Sequence, residues 1–156
     1  MCTQTIRVNL CTICKQKGFQ VTVCDNLSLP YRSNVFDVVL SIAVIHHFAT
    51  SERRQLAIKE LMRVTRVGGR VLIFVWALEQ HGKREFSLEH QDVLVPWVVK
   101  SGEGERVYQR YYHLFKEGEL EEMVRTAAQV HGLDLDIVQS GYDKDNWYCI
   151  IQRSSS

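Results

Sequence analysis

Proline is nearly absent from this chain: Pro30 and Pro96 are the only two in 156 residues. Pro-rich spacers are thereby excluded, and long uninterrupted strands and helices are permitted. No apolar run approaches the ~20 residues that cross a bilayer as a helix. No basic stretch followed by a long apolar one opens the chain, so no secretory signal is read. Charge of one sign is lacking too. Nineteen Lys and Arg against 18 Asp and Glu leave a net charge of +1, which argues neither for nor against a polyanionic partner. The five cysteines, an odd number, read as free thiols of a reducing compartment, the cytoplasm with the nucleus as a second possibility. Cys11-Thr-Ile-Cys14 has no second pair and no histidines at finger spacing, so no metal site is assigned.

What is present is an ordinary globular composition, 46% hydrophobic and 24% charged, of a length that suits one domain over 1–156. A weakly periodic segment near Thr5–Lys17 reads as a helix, although Ile6, Val8 and Leu10 also alternate as in a strand, and Phe19–Cys24 reads as a short β-branched strand. Turn-rich residues 27–34 follow, and Phe36–Val44 is a continuous apolar run, as in a parallel strand buried on both faces. Thr50 or Ser51 can cap a helix through Leu56, Leu61, Met62 and Val64 that Gly68 and Gly69 would stop. Val71–Ala77 reads as a second buried strand. Residues 79–110 read as an irregular polar insertion around an apolar patch, Val93–Trp97, with Ser101–Glu105 as a flexible loop. A helix near Glu117–Val130 and a hairpin of Leu133–Gln139 with Trp147–Gln152 close the chain. Strands alternating with helices predict an α/β fold with βαβ units. Arg53, Arg54, Lys59, Arg63, Arg66 and Arg70 form a basic run that reads first as a solvated face and second as a nucleic-acid contact.

The most informative segment is Leu40–Phe48, where an apolar strand stops at His46 and His47. Ligands of open α/β sheets collect outside the carboxyl ends of the strands, and histidine titrates near neutrality. Both rings are therefore candidate site groups, against the plain alternative that one of them is a satisfied, partly buried side chain.

The motifs Ser41–Phe48, Ser51–Val64, Val67–Gln80, Gln91–Trp97, Arg110–Glu122 and Asp145–Tyr148 occur in an order that resembles the eukaryotic tRNA wobble-uridine carboxymethyl methyltransferases. These are class I S-adenosylmethionine-dependent enzymes. The resemblance covers about Val8 to Arg153 and implies a Rossmann-like sheet ending in an antiparallel hairpin. The family's glycine-rich loop and first two strands have no counterpart here. The one close GxG, Gly102-Glu-Gly104, follows no strand, so the chain reads as an N-terminally truncated member.

The resemblance implies S-adenosylmethionine as cofactor, with Asp25 and Asn26 at its adenine edge and Ser41, Ile42 and Ala43 along its methionine side. A turn-forming role is the alternative for Asp25. It implies His46, His47, Trp76 and Gln80 as catalytic residues, with Glu79 beside them. A carboxylate substrate of pKa about 4 is already ionised at neutral pH and needs positioning, not a general base. Trp76 or Trp97 is the candidate to stack on a splayed base of the tRNA anticodon loop, and Trp97 beside Pro96 equally reads as a packing anchor. The implied partner is a small zinc-binding activator protein, forming a heterodimer by strand addition at Phe19–Cys24 and the preceding helix. Losing the first two strands predicts weak cofactor binding and poor solubility without that partner. The implied activity is methyl esterification of 5-carboxymethyluridine to 5-methoxycarbonylmethyluridine. A non-catalytic methyltransferase-like binding module and a small-molecule carboxyl methyltransferase are the alternatives.

Overall fold

The computed structural model describes residues 8–81, 86–101 and 104–155. Its centre is a four-stranded sheet ordered β1-β2-β6-β5. Strand β1 (Phe36–Ile42) runs parallel to β2 (Thr65–Trp76). Strand β6 (Asn146–Arg153) lies antiparallel between β2 and β5 (Leu135–Asp143). The expected C-terminal hairpin is thus present, and the α/β architecture with it.

Helix α2 (Ser51–Val64) links β1 to β2. The Thr50 side chain caps it by accepting from the Arg53 N–H at 3.3 Å. Ala57, Ile58, Leu61 and Met62 recur at helical spacing and are buried against the sheet. The helix ends at Val64, before Gly68 and Gly69, because β2 starts at once at Thr65, whose hydroxyl donates to the Leu61 carbonyl at 2.7 Å. Gly69 serves the strand instead. A Cβ there would lie 2.8 Å from the Asp37 carbonyl oxygen, where β1 and β2 shift register.

Helix α3 (Glu119–His131) covers the same sheet face as α2, burying Leu120, Met123, Val124 and Ala127. Between helices and sheet lie Ile45, Phe48, Ile58, Met62, Ile73, Phe115 and Ile151. Strand β1 departs from the expectation of burial on both faces. Val39 and Ser41 face the core side, whereas Val38, Leu40 and Ile42 are 58–60% exposed. On that second face Phe74 stacks on Tyr148 at 5.4 Å.

Two further expectations are corrected. Phe19–Cys24, downstream of helix α1 (Val8–Gln16), is no strand; only Asp25 and Ser28 form an isolated bridge. Its β-branched residues favour extension, but no ladder among the described residues takes them up. The stretch 79–110 is not irregular throughout. It contributes β3 (Asp92–Ser101) and most of β4 (Gly104–His113), a separate antiparallel hairpin. Of the predicted loop Ser101–Glu105, residues 102 and 103 lie outside the described residues, and Gly104 and Glu105 begin β4.

Candidate active site

The carboxyl ends of β1 and β2 open where the chain leaves β1 through Ala43, whose φ of 58° is left-handed. A non-glycine residue there is uncommon and marks a tight redirection. The turn is fixed by the Ala43 N–H donating to the Phe74 carbonyl at 3.0 Å, and one turn of 3-10 helix, Ile45–His47, follows. It tucks the His46 ring inside the protein, 1% exposed.

The Trp76 backbone N–H donates to His46 Nδ1 at 3.0 Å. Since Nδ1 accepts, a neutral ring carries its hydrogen on Nε2. That Nε2 is buried and has no hydrogen-bond partner among the described residues. Burial above all, then the fields of His47 and His113, lowers the His46 pKa to about 3. The ring is neutral at physiological pH, and its tautomer is fixed by the backbone of the adjoining strand. His47 turns the other way, with Nδ1 3.0 Å from the Tyr111 carbonyl oxygen. Burial lowers its pKa more than that bond raises it. The two rings meet edge to face at 4.5 Å.

Tyr112 completes the cluster, and sequence reasoning missed it. Its ring stacks on Trp76 at 4.3 Å, 7° from parallel, and lies 4.4 Å from His47 and 5.1 Å from His46. The structure therefore brings His46, His47 and Trp76 together. Gln80 is placed otherwise. Its side-chain nitrogen donates to the Ala77 carbonyl at 2.7 Å and the Asp145 carbonyl at 3.2 Å, tying the end of β2 to the β5–β6 turn. Glu79 likewise accepts from the Trp147 indole at 3.0 Å.

A polar pin holds the β3–β4 hairpin that delivers Tyr112. His113 sits between Asp92 (Nδ1 to Oδ1, 2.8 Å) and Glu119 (Nε2 to Oε1, 2.7 Å), with an acceptor at each ring nitrogen. The Gln91 amide also donates to Glu119, and the Tyr111 hydroxyl to Asp92. Burial would raise the Asp92 pKa, but bonds from Tyr111 and His113 outweigh it and the net shift is downward. For Glu119 burial is again outweighed, by His113, Lys116 and Gln91. Burial and Asp92 push the Tyr111 hydroxyl up to about 12. The signal for this pin was present in the spacing of Gln91-Asp92, Tyr111–His113 and Glu119, but only hairpin pairing brings them together.

The segments expected along the cofactor hold two unmet polar groups. Ser41 is 2% exposed, and among the described residues neither its Oγ nor the buried Asn26 Nδ2 has a hydrogen-bond partner. Buried polar atoms are rarely left so, and a polar ligand outside the strand ends fits both. Asp25 does make the turn its alternative reading foresaw, accepting the Leu27 N–H at 2.9 Å. Ile42 and Ala43 are exposed. Asn26 and Ser41 thus keep a polar atom that a nucleoside-bearing cofactor could engage.

Comparison with known proteins places the chain. The family described as "Methyltransferase domain" matches residues 5–73. The tRNA (carboxymethyluridine(34)-5-O)-methyltransferase of Schizosaccharomyces pombe is 42% identical over 165 residues, which span 94% of this chain and 69% of that protein. The Xenopus tropicalis tRNA (carboxymethyluridine(34)-5-O)-methyltransferase alkbh8 is 35% identical across 93% of this chain, which spans only 31% of that longer protein. An S-adenosylmethionine-dependent methyltransferase from Clostridium acetobutylicum superposes with a TM-score of 0.67 at 12% identity, over 99% of this chain and 73% of that one. Its identity speaks for the fold alone. The identity to the yeast protein over nearly the whole chain speaks for more: this chain belongs to the tRNA (carboxymethyluridine(34)-5-O)-methyltransferase family and has its S-adenosylmethionine-dependent, class I α/β fold.

Proposed function

We propose that this chain is the catalytic subunit of a tRNA methyltransferase that esterifies the carboxylate of 5-carboxymethyluridine at the wobble position. The observation that carries the reading is the His46 Nε2–H at the strand ends, a buried donor without a partner among the described residues, neutral because burial holds the ring pKa at about 3. Such a donor hydrogen-bonds one carboxylate oxygen and leaves the other to react. A neutral ring does so without protonating the nucleophile, which a histidine titrating near neutrality would risk. S-adenosylmethionine, when bound, supplies an electrophilic methyl group to a carboxylate oxygen, with no proton to remove. The Trp76 N–H fixes the ring, and Trp76 with Tyr112 forms an aromatic wall that excludes water. Orientation of this kind is worth about 7–11 kcal/mol when complete. Asn26 and Ser41 would hold the cofactor's polar edge.

The test is transfer of labelled methyl to tRNA carrying carboxymethyluridine, by a protein that includes the family's glycine-rich loop. His46→Ala should cut turnover at least tenfold with the fold intact. Full turnover by that variant would refute the donor role and return His46 to a structural one.

Two finer points belong to this reading. Against the sequence-based expectation, the one close GxG, Gly102-Glu-Gly104, does follow a strand, but it lies between β3 and β4 and not between a strand and a helix. By itself the 156-residue sequence should therefore bind S-adenosylmethionine weakly, and micromolar affinity by calorimetric titration would contradict this. The partner of the catalytic subunit is a small zinc-binding activator. Phe19 and Val23 are exposed on a segment outside every described helix and strand, which leaves it available for strand addition. Light scattering after size exclusion, with and without the activator, tests this: a monodisperse monomer without any partner would count against it.

A further inference from the structure

We propose that one face of the β3–β4 hairpin is a single-stranded RNA track, leading the nucleotides beside the modified uridine away from His46. This inference rests on the tRNA reading above and adds where the RNA lies and what holds it.

In an antiparallel pair, directly opposed residues share a face. The register puts Val93 with Tyr112, Val95 with Arg110, Trp97 with Tyr108 and Val99 with Arg106 on one face. Successive rows are about 7 Å apart, twice the ~3.4 Å rise of an antiparallel strand, comparable with the phosphate spacing of an extended nucleic-acid strand. The first row is anchored: Tyr112 stacks on Trp76 beside His46. Val93 and Val95 still pack on the small core of Leu78, Tyr112 and Leu114, but Trp97 lies one row beyond it.

Trp97 instead meets side chains of its own face. The Arg110 guanidinium lies 3.7 Å above the indole, and the Tyr108 ring is 6.3 Å away and 49% exposed. A guanidinium on an indole is held flat, with its remaining donors directed sideways as phosphate recognition requires. Aromatic rings interleaved with arginines form the surface on which unpaired bases stack. Acidic charge is confined to one face of the ribbon, which also carries Lys100 opposite Glu105. Arg106 and Arg110 share the track face, and both acidic residues of β3 and β4, Asp92 and Glu105, lie in the pairs of the other face. The side that continues from the active-site rings is thus the side a polyanion can follow.

The experiment measures binding of a labelled anticodon stem-loop to the full chain by fluorescence anisotropy across a salt series. Trp97→Ala should weaken binding about tenfold. Arg110→Lys keeps the charge but not the planar fork and should weaken it severalfold. Arg110→Gln should lower the slope of log affinity against log salt by about one. Val98→Thr and Val107→Thr, on the opposite face, should bind as the unaltered chain does. A second readout does not depend on how the variants fold: 5-iodouridine placed beside the wobble nucleotide should crosslink to Trp97 or Tyr108 on irradiation. Unchanged affinity and slope in the track variants, with no such crosslink, would overturn the proposal. If His46→Ala still abolished transfer, the tRNA reading would survive that result. A chain that bound no stem-loop, or 5-iodouridine crosslinks that fell only outside this face, would overturn the track. Absence of transfer by the loop-containing protein would in addition remove the tRNA reading.

Discussion

The β5–β6 hairpin lies inside the main sheet, whereas the β3–β4 hairpin stands apart from it, joined at one end. Strand β6 is paired on both sides, and its Cys149 and Ile151 are fully buried beneath the helices. Among the described residues strand β3 pairs only with β4, and Leu94 and Val98 on β3 and Val107 on β4 remain exposed. What secures the outer hairpin is the stacking of Tyr112 on Trp76 and the ties of His113 to Asp92 and Glu119. One hairpin supplies stability. The other carries polar and aromatic groups to the end of the sheet where the site lies.

The largest effect that separates them is on stability. Ile151→Ala removes a fully buried side chain and should cost about 2–5 kcal/mol. Leu94→Ala, at a residue 64% exposed, should change stability by no more than about 0.5 kcal/mol. Urea denaturation of both variants measures the contrast. Equal costs would mean that the outer hairpin belongs to the cooperative core.

The pH dependence comes next. The His46 pKa is lowered from 6.5 to about 3, so between those values the unfolded chain binds a proton that the folded chain refuses. Stability then falls as pH falls, by up to about 1.4 kcal/mol per unit, beginning near 6.5. His46→Leu should flatten this part of the curve. An unchanged slope would show that the buried ring is not what titrates.

The contrast between hairpins also explains what the sequence made legible. The cap at Thr50, the spacing of α2 and the turn before β6 are local signals, and each led to the observed element. The signal for β3–β4 was equally local, with Val93, Val95, Trp97 and Val99 alternating against Arg106, Tyr108, Arg110 and Tyr112. It was obscured because an exposed ribbon shows no contrast between an apolar and a polar face. Phe19–Cys24 erred the other way, since β-branched residues favour extension but only a neighbouring ladder makes a strand. That His46 and Trp76 lie at the ends of neighbouring strands was legible. Tyr112 and the Asp92–His113–Glu119 pin were not, because they arrive from distant segments.

A smaller and more local effect is expected at the pin. Asp92 and Glu119 have lowered pKa values, so their contribution is complete above the ordinary carboxylate range and is lost as pH falls through the folded-state values. Hydrogen exchange should then show β4 amides losing protection in acid before β6 amides do. Asp92→Asn should produce the same early loss at neutral pH. Simultaneous loss in both strands would contradict local unpinning.

The smallest effect, and the sharpest test of how far the site extends, is at Gln80. The resemblance made it a catalytic candidate, but its amide nitrogen joins the Ala77 and Asp145 carbonyls and thereby ties the sheet's end to the β5–β6 turn. Those bonds to backbone should contribute about 0.5–1.5 kcal/mol to stability. Gln80→Ala should lower the urea midpoint by that amount and leave kcat of the loop-containing protein within about twofold. The reasoning is geometric: a group that positions substrate must direct an atom toward it, and this nitrogen is directed into the stable hairpin. A tenfold fall in kcat with an unchanged urea midpoint would reverse the assignment. It would extend the site from the rings at His46 across the end of β2 to the β5–β6 turn, and the division of labour between the two hairpins would not hold.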